Sequence, residues 1–351
     1  MSDNNQLSTS TPFHTPRESS LLGRRNCNLA MIADRALNHE PDFHKIADFI
    51  REIDPKIKTL VIGKRSQGVV KLAPLLARPT FGFSPVPLNK FHLLRGKLLT
   101  GQRLTKSQEY EVLDAAGFPV PKWKLINEGE DPDFSDFSPY VVSKPDTGMR
   151  GANVKIKRKS RMQPKAKPQE SVERLTTAVP EGRKTRTGYH INETRMLAQE
   201  FVYTGLWPVS YRVTTLFGQV IHSIRVEANQ ERKQLAGPEA FGKAGEDGVS
   251  IVASGQGCTM TLNYDEEIIR LGETAHAAFP EIPLLGIDII REVPSGKLYI
   301  VEVNASGYVW HFSSPMGTNL QREFNFSLES QFDGLRKAAY ILAAKTQESA
   351  A

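Results

Sequence analysis

The sequence predicts an α/β (α+β) protein, and three patterns carry that expectation. Between positions 28 and 63 a strand, a helix and a second strand alternate: Leu29–Ala33, a helically spaced run 43–50, and 59–63. From 196 to 225 short apolar strands follow one another with turn residues between them. Late in the chain, 285–291 and 299–304 read as two buried strands joined by the turn-forming run Val293-Pro-Ser-Gly-Lys297. At 351 residues the chain is too long for one compact core and suits two or three packed subdomains.

Composition narrows the class. No run of eighteen apolar residues exists and the first residues lack an apolar signal core, so neither a membrane span nor a secretory leader is expected. The expected compartment is cytoplasmic. Cys27 and Cys258 have no metal-ligand spacing and are read as reduced thiols. The Asn-x-Ser/Thr matches at Asn192, Asn304 and Asn325 are then coincidental. A net charge of +6 suits an anionic ligand or a solvated surface, and no nucleic-acid-binding motif accompanies it, so nucleic acid is a disfavoured partner.

In chain order, residues 1–24 are rich in Ser, Thr, Asn, Pro and Arg and are expected to be a disordered tail. Residues 25–100 should form a small α/β domain ending in a short strand over 79–85. The run Gly63-Lys-Arg-Ser-Gln-Gly68 lacks the full phosphate-loop order, so Lys64 and Arg65 are read as surface charges. A unit over 101–200 opens with a helix from Lys106, stopped at Gly117 and stiffened by Pro119 and Pro121. Strands follow near 122–126 and 140–144. The run Lys144-Pro-Asp-Thr-Gly148-Met-Arg-Gly151 can turn backbone amides toward an anion, although in isolation a plain hairpin turn is the favoured reading. Residues 155–168 carry seven basic side chains without interleaved aromatics and are read as a solvated, mobile insertion.

The last unit, 201–345, begins after a strand ending in Gln199-Glu200-Phe201-Val202. Strands 210–217 and 220–225 flank an expected turn at Gly218-Gln219, and Arg212 and Arg225 are candidates to reach one phosphate or carboxylate; exposed strand arginines are the competing reading. A helix over 266–279, capped by Asn263 or Asp265, leads to the acidic hairpin. There Glu302 and Asn304, two residues apart, face one way, and Asp288 can meet them from the neighbouring strand. Their apolar flanks half-bury the carboxylates, which favours a compensating cation over a solvated hairpin. Oxygen donors of this kind suit Mg2+, with Mn2+ as a substitute, completed by substrate phosphates.

In this order the parts resemble the ATP-grasp ligases, with glutathione synthetases and ribosomal-protein glutamate ligases nearest in style. The resemblance rests on Lys106 before Gly117-Phe-Pro-Val-Pro, Lys144-Pro with its glycines, Gln199-Glu-Phe-Val, Tyr211-Arg-Val, Arg225, Gly286-Ile-Asp288 and Glu302-Val-Asn304. It implies an ATP-grasp fold: two α+β subdomains clasping ATP behind a small α/β N-terminal domain. It further implies that Lys106, Lys144, Gly148 and Gly151 contact the nucleotide phosphates and that Gln199, Glu200, Phe201 and Val202 line the adenine. Asp288, Glu302 and Asn304 would hold magnesium, and Arg212 and Arg225 would act on the transferring phosphoryl group. The implied reaction joins a small-molecule or peptide carboxylate to an amine. The sequence leaves oligomeric state open, with a homo-oligomer, most commonly a dimer, as the general prior. An ATP-grasp kinase and a non-catalytic ATP-binding regulator are the alternatives. The chain departs from the family pattern at Ser210, where an acidic residue is usual, and after Asn304, where Ala-Ser-Gly-Tyr-Val-Trp-His311 replaces the usual proline. His311 could contact substrate or act as a base, but packing between Trp310 and Phe312 is the favoured reading.

Overall fold

The structure, a computed structural model, describes residues 25–64, 78–88, 91, 93, 95–127, 132–147, 154–162, 195–231, 257–306 and 308–350. The N-terminal tail, Arg65, Gly148, Gly151 and the basic insertion beyond 162 lie outside the described residues.

The first sheet holds β1 (Cys27–Ala33), β2 (Ile57–Gly63), β3 (Thr80–Ser84) and β4 (Gly96–Thr100), all parallel, in the order β2-β1-β3-β4. β1 is buried along its whole length, as an inner parallel strand covered on both faces should be. Helix α1 (His39–Ile53) links β1 to β2 and buries Phe43, Ile46, Ala47 and Ile50 along one stripe. β4 escapes the sequence reading because Gly96 and Lys97 give it no strand signature.

The second sheet is antiparallel, in the order β5-β8-β6-β7, from β5 (Trp123–Ile126), β6 (Tyr140–Pro145), β7 (Lys155–Arg158) and β8 (Met196–Glu200). Ahead of it, α2 (Lys106–Ala115) begins at a capping box: Thr105 and Gln108 satisfy each other's backbone amides. It ends before Gly117, whose φ of +75° is the left-handed stop expected there.

Five antiparallel strands make the third sheet, ordered β11-β10-β9-β12-β13: β9 (Val209–Leu216), β10 (Gln219–Ala228), β11 (Cys258–Leu262), β12 (Leu284–Arg291) and β13 (Leu298–Asn304). The β9–β10 turn sits on Phe217 and Gly218, both at positive φ, one residue earlier than the sequence suggests, because Leu216 pairs with Gln219. Helix α3 (Glu266–Ala275), capped by Asp265, covers one face of this sheet.

Three helices that the sequence reading left unassigned close the chain: α4 (Pro315–Glu323), α5 (Leu328–Phe332) and α6 (Gly334–Ala350). α6 packs Leu335, Ala338 and Leu342 into a core that also holds Phe43 from α1, Met31 and Phe81 from the first sheet and Ile221 and Ile224 from the third. The first and third sheets therefore share one apolar interior. Trp310 sits at its centre, fully buried, with its indole N–H donating to Asp42 Oδ2 at 2.8 Å.

Candidate active site

Strand register assembles the site. β9, β12 and β13 lie side by side, with Arg212 opposite Asp288, Asp288 opposite Glu302, and Asn304 opposite Gly286. Paired residues on neighbouring strands share a face, so these four polar side chains stand together. Arg212 grips Asp288 with a two-pronged bond, Nε to Oδ1 and Nη2 to Oδ2, both 2.7 Å. Asn304 Nδ2 donates to Asp288 Oδ2 at 3.3 Å. The three expected oxygen ligands thus converge as their spacing implies.

The second sheet's unit brings the cations. Lys106, the first residue of α2, places Nζ 2.8 Å from Glu302 Oε1. Asp146, just past β6, anchors that helix start: it accepts the Ser107 N–H at 2.8 Å, and its own carbonyl accepts the Lys106 N–H at 3.0 Å. Lys144 sits two residues before that anchor. Its ammonium donates to Gln199 Oε1 at 2.7 Å, to the Val301 carbonyl at 3.1 Å and to the Tyr110 hydroxyl at 3.2 Å.

The charges are tightly interdependent. Burial would raise the Glu302 carboxyl, but Lys106, with Lys144 and Arg212 behind it, holds it below the usual range. For Asp288 burial outweighs the Arg212 fork and the carboxyl is raised. Burial lowers Lys144 to about 8 despite the pull of Glu302, whereas Lys106 stays raised because Glu302 and Glu109 overcome its burial. A lysine poised near 8 is a point charge that gains from an added anion.

Not every expected residue joins this cluster. Gln199 does, through Lys144. Glu200 turns away and accepts the Ser138 N–H at 2.8 Å; Phe201 and Val202 continue past the strand, with the Phe201 N–H donating to the Tyr140 carbonyl at 3.1 Å. Arg225 does not converge with Arg212. β10 pairs Ile224 with Arg212 and Arg225 with Tyr211, so one residue of register puts Arg225 on the opposite face, where it bonds Glu227 at 2.6 Å. His311 is buried beside His222, at 6.1 Å between ring centroids, and His222 in turn meets Phe312; burial pushes the His311 pKa well below the ordinary value.

Two site residues were missed. Glu109 and Tyr110 are not among the candidates that the sequence patterns single out. Both carried a signal: three and four positions after Lys106, they share its helix face. Tyr110 places its hydroxyl 2.7 Å from Gln199 Oε1 and 2.9 Å from the Val301 carbonyl. Among the described residues no group of three or more His, Cys, Asp or Glu side chains is arranged to hold a metal ion. Among them, too, no helix is long and apolar enough to cross a membrane.

No protein-family model matches the chain, and no curated protein matches it. Among solved structures it is similar to D-cycloserine synthetase DcsG, at 16% identity and a TM-score of 0.49, over 91% of this chain and 99% of that one. It is similar to D-alanine–D-alanine ligase from Bacillus anthracis at 12% identity and a TM-score of 0.43, over 92% and 99%. A third likeness is to the ATP-grasp ligase PsnB complexed with a minimal precursor, at 15% identity and a TM-score of 0.46, over 90% and 99%.

Proposed function

We propose that the chain is an ATP-dependent carboxylate–amine ligase of the ATP-grasp kind, forming an amide or peptide bond and releasing ADP and phosphate. One observation carries this reading: Lys106 and Lys144 meet Asp288, Glu302, Asn304 and Arg212 across two sheets. Such a gathering of buried opposite charges costs stability unless it serves a ligand.

The residues fit a hard divalent cation, because every donor on that face of β12 and β13 is a carboxylate or carboxamide oxygen. Asp288, Glu302 and Asn304 would hold magnesium, which supplies charge neutralisation at phosphate oxygens when bound. Lys106 and Lys144 bind the nucleotide phosphates, and residues 199–202 run along the adenine. Arg212, held in one orientation by Asp288, presents the rest of its planar fork to the transferring phosphoryl group.

In the first step a substrate carboxylate oxygen bonds to the γ-phosphorus as its bond to ADP breaks. In the second the amine nitrogen attacks the acyl carbon, phosphate departs with the electron pair, and the amine proton is lost.

Magnesium-dependent ATP turnover on amino-acid and peptide pools, comparing wild type with Glu302→Gln, tests this reading. Phosphate release that requires both an acid and an amine and disappears in the variant supports a ligase. Transfer to one substrate alone would make the chain a kinase. ATP binding with no turnover above the variant would make it a non-catalytic ATP-binding protein.

A further inference from the structure

Among the described residues the outer edge of β13 has no neighbouring strand: β13 ends the five-stranded sheet. A free edge exposes unpaired amides and carbonyls, and in a strand that carries site residues it would let the whole face tilt. Here the edge is closed by other means. The Ile300 N–H donates to the Pro119 carbonyl at 2.8 Å, and the Ala305 carbonyl accepts the Gln102 N–H at 2.7 Å. Between these, side chains act in place of a strand. The Val301 carbonyl lies 2.9 Å from the Tyr110 hydroxyl and accepts from Lys144 Nζ at 3.1 Å. The Val303 N–H donates to Glu109 Oε2 at 3.0 Å.

Val301 and Val303 bracket Glu302, and Val303 separates Glu302 from Asn304. β13 is irregular at Val301, which has no Cα partner on β12; beyond it backbone groups alternate between the two edges, so Val303, whose amide faces outward, turns its side chain away from the site. Fixing Val303 therefore fixes the orientation of both neighbours. Glu109 does this from inside the protein, being 6% exposed. A carboxyl buried to that degree in place of an apolar residue is costly, and the Val303 N–H is what it meets.

We infer that Glu109 is a positioning residue for the cation site: its bond to the Val303 N–H sets the pleat that turns Glu302 and Asn304 toward one point. The inference rests on the reading of Asp288, Glu302 and Asn304 as cation ligands. Glu109 touches no substrate. Loss of an outer partner of this kind weakens metal affinity without removing a ligand.

The test is manganese binding, followed by water-proton relaxation with ATP present, for wild type, Glu109→Gln and Glu109→Leu. Glu109→Gln keeps an oxygen acceptor at the same place; Glu109→Leu removes it. The expected result is that Glu109→Leu weakens manganese binding at least about tenfold while Glu109→Gln stays within about threefold of wild type. Hydrogen exchange at the Val303 amide should speed up in Glu109→Leu by more than at the core amides of β9 and β12, and stay slow in Glu109→Gln; a general loss of stability would speed all of these amides together. A folded Glu109→Leu that binds manganese like wild type overturns the positioning role, as does a Glu109→Gln that binds no better than the leucine variant. If Glu109→Leu does not fold, the glutamine variant alone decides: slow Val303 exchange with retained affinity supports the role, and lost affinity overturns it. Wild type that takes up no manganese overturns the cation-site reading, and this inference with it.

Discussion

Arg212 and Asp288 face each other on adjacent strands and are joined by two bonds of 2.7 Å. Both side chains are largely buried, so each is the other's solvent. The pair orients the guanidinium before any ligand arrives. Arg212→Leu should cost on the order of 3 kcal/mol in unfolding free energy, because it leaves a buried carboxylate without its partner. Adding Asp288→Leu should recover part of that loss. Denaturant unfolding of both variants checks this, and a single variant as stable as wild type would show that the pair is not what holds the charge.

The link between Lys106 and Glu302 joins the start of α2 to β13. Lys106→Met should weaken ATP binding by at least about tenfold, since a charged contact to phosphate is worth roughly 1.4 kcal/mol or more. Calorimetric titration with ATP and magnesium measures it. Unchanged affinity in a folded variant would remove Lys106 from the nucleotide site.

Acid should unfold this protein through its buried histidines. Burial lowers His39 to about 4, His222 to about 3 and His276 to about 4, from 6.5. The folded state keeps these rings neutral, while the unfolded chain takes up protons below about 6.5. Stability from this source is therefore complete above that pH and falls as the pH drops from 6.5 toward 4. The slope is up to about 1.4 kcal/mol per pH unit for each histidine. Urea midpoints across that range should show it, with a shallower slope for His222→Gln. A slope no shallower in His222→Gln than in wild type would mean that the His222 ring is protonated in the fold.

Gly96 opens β4 at a φ of +138°, and a Cβ built there would lie 1.8 Å from the Thr80 carbonyl oxygen. Both the backbone conformation and the space exclude a side chain. Gly96→Ala should cost about 3 kcal/mol, the upper range for strain at such a position. Gly117, also at positive φ, has nothing within 4 Å of an added Cβ, so Gly117→Ala should cost less, about 1 kcal/mol. Equal losses in the two unfolding curves would contradict the steric account.

Much of the candidate site was legible because it obeys local rules. Glu302 and Asn304 are two residues apart on a strand with apolar flanks, and a strand's alternation puts them on one face whatever surrounds it. Asp288 followed from the hairpin, and Lys106 from the helix start that Thr105 caps. Arg225 shows where such rules end. Whether it or Ile224 stands beside Arg212 depends on the register across the Phe217–Gly218 turn and on the irregularity between Val220 and His222. Parity over thirteen residues does not survive one extra residue.

Strand and helix types, their order and the clustering of oxygen donors were set by short-range patterns of side-chain chemistry along the chain. Folding alone decided which distant groups meet. Lys106 finds Glu302 across 196 positions of sequence in numbering, 302 less 106, only because α2 docks on the edge of β13. Glu109 becomes a buried partner of the Val303 amide, and α6 becomes the cover of the first sheet, for the same reason. These contacts come from burying apolar faces against one another, and which faces meet is a property of the whole chain's packing rather than of any segment.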